Sequence, residues 1–78
     1  MKLTFFGRLR DQVGTGEIDC SPPTNVGDSE SLRLWIGGQH SALLDPTVRI
    51  ALDDILVSGP TPIADVVEVA FLPPVSGG

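Results

Sequence analysis

Apolar residues in this chain recur first with period two, then at helical spacing, then with period two again. Leu3 and Phe5 fall on one side of an extended backbone and Thr4 and Phe6 on the other. Residues 2–8 are therefore predicted as a first strand that carries Phe6 on its outer face. Gly14-Thr15-Gly16 signals a turn, and Glu17-Ile18-Asp19-Cys20 a short strand that pairs back on the first. The prolines of Ser21-Pro22-Pro23-Thr24-Asn25-Val26-Gly27 make a loop. Asp28 then suits a helix N-cap, and Glu30 the positive end of the helix dipole. Leu32, Trp35 and Ile36 follow at i, i+3, i+4 as a core-facing stripe, and Gly37-Gly38 weakens the helix enough to end it. Asp45-Pro46 turns the chain into a third strand, residues 48–52, with Val48, Ile50 and Leu52 on one face. Asp53-Asp54 is a turn and Ile55-Leu56-Val57 a short fourth strand. After the loop Ser58-Gly59-Pro60-Thr61-Pro62, Ile63-Ala64-Asp65 suits a single helical turn. Residues 67–72 form the last strand, with Val67, Val69 and Phe71 on one face.

A hairpin, one covering helix and further strands predict a two-layer α+β domain with one main helix on one face of a sheet of four to five strands. Seventy-eight residues allow one domain with a small core. Its expected extent is residues 1–72, followed by a flexible tail, residues 73–78. Pro73-Pro74 ends the strand, because neither residue donates a ladder hydrogen bond and both favour an extended backbone. Gly77 and Gly78 carry no Cβ, so this tip fits a channel too narrow for any side chain. With Gly78 last, its carboxylate is the expected reactive group, and a partner enzyme must activate it before acyl transfer.

Composition narrows the alternatives. One cysteine, Cys20, excludes an internal disulfide and fits a reducing cytoplasm. A net charge of −5 with five Lys and Arg leaves no basic footprint for nucleic acid. No apolar run reaches the roughly 18 residues of a membrane span, and charge interrupts the N-terminus too soon for a signal peptide. Cys20 reads as a small hydrophobe at a strand end, Trp35 as core, His40 as a solvated residue after the helix, and Asp53-Asp54 as a solvated turn. None has the neighbours that nucleophilic, acid–base or metal chemistry requires, so no metal site is expected. Gly37-Gly38 lacks the preceding strand and lysine of a phosphate loop.

The tail Val69-Ala70-Phe71-Leu72-Pro73-Pro74-Val75-Ser76-Gly77-Gly78 resembles the C-terminus of the small subunits of molybdopterin synthase, a family of ubiquitin-like sulfur carriers. Leu3-Thr4-Phe5-Phe6-Gly7-Arg8-Leu9-Arg10 resembles that family's opening strand, and Arg49-Ile50-Ala51-Leu52-Asp53-Asp54-Ile55-Leu56-Val57 its middle. The resemblance implies a β-grasp fold with first and last strands parallel neighbours. It implies that an activating enzyme uses ATP to adenylate Gly78, and that sulfur then replaces the adenylate to give a thiocarboxylate. The tail, stiffened by Pro73 and Pro74, would enter the synthase large subunit within a heterotetramer and deliver sulfur to cyclic pyranopterin monophosphate, making molybdopterin. Phe6, Leu56 and Leu72 match positions that contact the large subunit. The chain itself is expected to bind no cofactor. A sulfur carrier for thiazole or tungsten-cofactor synthesis shares the fold and the Gly-Gly end, as does a ubiquitin-like protein modifier. Two positions depart from the family pattern. Asp65-Val66-Val67 stands where a Gly-containing turn is usual, which displaces the turn to Ala64-Asp65 or lengthens the strand, and Asp53 replaces a common Asn.

Overall fold

The computed structural model describes residues 1–74. Its elements in chain order are β1 (Lys2–Phe5), α1 (Arg8–Val13), β2 (Glu17–Asp19), α2 (Ser29–Gly37), a 3₁₀ turn Ser41–Leu44, β3 (Arg49–Leu52), β4 (Ile55–Val57) and β5 (Glu68–Leu72). The five strands form one sheet in the order β2-β1-β5-β3-β4. β1 and β5 are parallel, and every other neighbouring pair is antiparallel. With α2 packed on one face this is the ubiquitin-like β-grasp arrangement, as expected, and the last strand lies at the centre of the sheet.

The core follows from the period-two pattern. Leu3 pairs with Val69 and Phe5 with Phe71 across the parallel ladder, and all four side chains are buried. The Phe5 and Phe71 rings stack with centroids 5.6 Å apart. Ile50 and Leu52 extend the apolar sheet face through β3, while Leu32 and Ile36 of α2 close it from above. Asp28 caps α2 as its sequence suggests: its carboxylate accepts from the Ser31 N–H at 2.8 Å, and the Ser31 hydroxyl accepts from the Asp28 N–H at 3.2 Å. The Ser31 N–H and then the Ser31 hydroxyl, both donating to the carboxylate, hold the Asp28 carboxyl below the ordinary aspartate range.

Several elements differ from the sequence reading. The first strand stops at Phe5 rather than running to residue 8, because Gly7 takes φ 55° and ψ −137°, a conformation open to glycine, and turns the chain into α1. The sequence pattern does not signal this six-residue helix. Its apolar residues, Leu9 and Val13, show only one helical repeat, and it ends on left-handed Gly14. Trp35 is 37% exposed, whereas Leu32 and Ile36 are buried. At about 100° per residue Trp35 sits on the margin of their stripe. Val67 lies outside β5 and is exposed, so the buried face of that strand begins at Val69. His40 is half-buried instead of solvated. Ala64-Asp65 is the displaced turn, closed by the Val66 N–H on the Ile63 carbonyl at 3.1 Å; it is a turn, not a helix. Asp53 and Asp54, at φ 46° and 71°, form the two-residue turn of the β3–β4 hairpin. Cys20 is partly buried against the core, and burial raises its thiol pKa.

Candidate functional site

Strand alternation sends Thr4, Ala70, Leu72, Arg49, Ala51 and Leu56 to the face opposite the core. Among the described residues no helix covers this face. Phe6 continues the β1 ladder by one position: its N–H donates to the Phe71 carbonyl at 3.1 Å, which sets it beside Leu72. Phe6 and Leu56 are 47% and 53% exposed, and Leu72 is half-buried. The structure therefore brings Phe6 and Leu72 together as neighbours. Leu56 stands two strands away on β4 and two residues further along, level with Ala51 and Ala70 rather than with Leu72. The small residues leave a shallow apolar floor with larger side chains on either side. One polar pair borders it, the Thr4 hydroxyl donating to the Glu68 carboxylate at 3.1 Å.

The position of β5 determines where the tail begins. At its start the Asp53 carboxylate accepts from the Glu68 N–H at 2.9 Å and the Val67 N–H at 3.1 Å, while the Asp53 N–H donates to the Glu68 carbonyl at 2.9 Å. The acidic turn is thus more than solvated surface; Asp53 fastens the first residues of the last strand. At the other end Leu72 leads directly into Pro73 and Pro74, which are half-buried and lie against the domain. A Cβ on Gly7 would stand 2.9 Å from Pro73 Cγ, so Gly7 is the floor on which Pro73 rests. Sequence reasoning missed this role. The signal available was the Phe6-Gly7 step itself, a glycine directly after an apolar strand.

Pro74 borders an open polar groove of about 810 Å³ between α1 and the 3₁₀ turn, lined also by Arg8, His40 and Asp45. Hydrogen bonds from Thr47 hold the Asp45 carboxyl below the ordinary range, with Arg8 and Arg33 adding to the effect. Gly77 and Gly78 lie outside the described residues. Among the described residues no group of three His, Cys, Asp or Glu side chains could hold a metal ion, and no helix is long and apolar enough to cross a membrane.

A model of the ThiS family matches residues 3–78. The molybdopterin synthase sulfur carrier subunit of Escherichia coli (strain K12) is 38% identical over an alignment covering 100% of this chain and 99% of that protein. Among solved structures, the putative molybdopterin converting factor, subunit 1, from Pyrococcus furiosus superposes with a TM-score of 0.78 at 25% identity, covering 95% of each chain. SAMP1 from Haloferax volcanii superposes with a TM-score of 0.77 at 18% identity, covering 99% of this chain and 97% of that one. The second likeness shows the fold alone.

Proposed function

The chain belongs to the ThiS family, and from that membership we propose that it is the sulfur carrier subunit of a molybdopterin synthase. The observation that carries this reading is the 38% identity to a sulfur carrier subunit along the whole chain. The geometry supports it. The tail departs from the central strand, beside an uncovered apolar face formed by Phe6, Leu72 and, further out, Leu56.

In this reading an activating enzyme binds the chain and ATP. The Gly78 carboxylate attacks the α-phosphorus, pyrophosphate leaves, and the acyl-adenylate forms. A sulfur nucleophile then displaces AMP, and the terminus becomes a thiocarboxylate. The synthase large subunit receives the tail, with Phe6, Leu72 and Leu56 docked on its surface, and the thiocarboxylate sulfur passes to cyclic pyranopterin monophosphate. Water restores the Gly78 carboxylate. Gly77 and Gly78 let the end of the chain enter a narrow channel, and Pro73-Pro74 lowers the entropy lost on insertion because their φ angles are already restricted. Two small and two large subunits would make the heterotetramer, in the cytoplasm.

Intact-mass analysis tests the reading. After incubation with the activating enzyme, ATP and a sulfur donor, the chain should gain the mass difference of sulfur for one oxygen. With the large subunit and the pterin precursor it should then return to its starting mass. A chain that instead becomes joined to lysines of other proteins would be a protein modifier, and the proposal would fall.

A further inference from the structure

The chain carries five Lys and Arg against ten Asp and Glu, and the tertiary structure separates them. At the end of the sheet remote from the tail stand Asp19, paired in register with Lys2, the hairpin turn Asp53-Asp54, Asp65, and Glu68 at the start of β5. Three arginines that make no ion pair among the described residues gather at the opposite end. Arg49 is the register partner of Leu72. Arg10 lines a recess beside Phe6, its guanidinium lying across Gly16. Arg8 opens α1 and lines the groove bordered by Pro74. All three are exposed, and none forms an ion pair with a carboxylate among the described residues. The other two cationic side chains are engaged, Lys2 with Glu17 at 3.8 Å and Arg33 with Glu30 at 3.1 Å. The acidic groups near this end are Asp11, Glu17, Glu30 and Asp45. Of these Glu17 faces Lys2, Glu30 faces Arg33, and Asp45 is held by the Thr47 N–H and hydroxyl and shares its groove with Arg8.

We infer that Arg8, Arg10 and Arg49 form a cationic collar around the root of the tail, which docks on an acidic rim at the mouth of the channel in the synthase large subunit. The inference rests on the proposed function and adds the chemistry of the surface that receives the chain. Chain reach sets the role of the collar. Six residues from Pro73 to Gly78 span at most about 20 Å, so with the tail extended the arginines stand that far from the reacting carbon. They meet the protein around the channel, not the pterin or the sulfur. The large subunit is the partner because the collar is continuous with the apolar patch: Arg49 flanks Leu72 and Arg10 flanks Phe6. With Asp19, Asp53, Asp54, Asp65 and Glu68 at the far end and the arginines at this one, the chain is electrically polarised and approaches such a rim tail-first, and this raises the encounter rate without lengthening the life of the complex.

The test measures association and dissociation rates of the full chain with the isolated large subunit at about 0.01 M and about 1 M salt, where the Debye length is about 30 Å and about 3 Å. The variant Arg8→Gln/Arg10→Gln/Arg49→Gln should associate about tenfold more slowly than wild type at low salt. The difference should vanish at high salt, with the dissociation rate nearly unchanged. Its thermal unfolding should match wild type, since the three side chains make no ion pair that folding depends on. Asp54→Asn/Asp65→Asn, at the far end, should leave the association rate within about twofold. Equal association rates for wild type and the triple arginine variant at low salt would overturn the collar. So would a loss that persists at high salt, which would mean packing rather than charge. A loss confined to the activating enzyme would assign the arginines to that protein instead. If wild type itself fails to bind the large subunit, it is the proposed function that fails.

Discussion

Gly7 joins backbone conformation to tail direction in a single residue. Its positive φ permits the turn from β1 into α1, and its missing side chain leaves room for the Pro73 ring. Gly7→Ala meets both constraints at once. It should cost about 1–3 kcal/mol of stability from the strained backbone alone, read by urea unfolding. It should also displace Pro73 and slow sulfur transfer by the fraction that stays folded. Gly77→Ala should behave differently. It adds a methyl group where a narrow channel is proposed, so transfer should fall while the unfolding midpoint stays at the wild-type value; transfer at the wild-type rate would remove the steric reason for the Gly-Gly end. The apolar pair gives a third expectation. Phe6→Asp or Leu72→Asp should weaken the complex with the large subunit by about 2 kcal/mol or more, as at the centre of a desolvated contact. Calorimetry checks this, and undiminished affinity in both variants would remove them from the docking surface.

At the scale of elements, α2 depends on its first turn and β5 on the hairpin turn beside it. The Asp28 carboxyl has a lower pKa in the folded chain than in the unfolded one, because the Ser31 N–H and hydroxyl bond the charged form. Its contribution to stability is therefore complete above the ordinary aspartate range. It is lost as pH falls through that range toward the depressed folded value. Asp28→Asn keeps a capping oxygen but does not titrate. Its unfolding midpoint should lie close to wild type at neutral pH and fall less steeply under acid, as thermal scans across pH would show. Asp53→Ala should destabilise the chain by about 1 kcal/mol and loosen the start of β5 before its end, seen as faster amide exchange at Val67 and Glu68 than at Phe71.

At the scale of the whole molecule, the sheet brings three distant parts of the chain to one end. β1 and β5 run parallel, so Phe6 and Leu72 finish side by side, and β3 starts there with Arg49. The prolines belong partly to the domain and partly to the tail. Because Pro73 rests on Gly7 and both rings are half-buried, Pro73→Gly/Pro74→Gly should lower stability measurably as well as weaken tail engagement. The conformational part amounts to about 0.4–1 kcal/mol per proline. Sulfur-transfer rates and thermal unfolding of the one variant separate the two effects: a folded, fully active variant would exclude any role of the prolines in insertion.

Local pattern was enough for most of the elements. Alternation at Leu3 and Phe5, at Ile50 and Leu52, and at Val69 and Phe71 marks three strands, since period two arises within a few residues of backbone. Asp28 and the Leu32–Ile36 spacing mark α2 for the same reason. The Gly-Gly end and the prolines before it are likewise visible in the chain itself. Pairing of sequentially remote segments decided the rest. That Phe6 sits beside Leu72, with Leu56 two strands off, follows from the parallel β1–β5 ladder, which spans more than sixty residues of sequence. Trp35 stays partly exposed because it sits on the margin of the stripe whose centre, Leu32 and Ile36, faces the core. Gly7 serves as a floor for Pro73, and Arg8 and Arg10 of α1 join the remote Arg49 of β3 at the root of the tail, only because the sheet brings those segments to one end. Contacts of that kind depend on which strands become neighbours, and no local period encodes that.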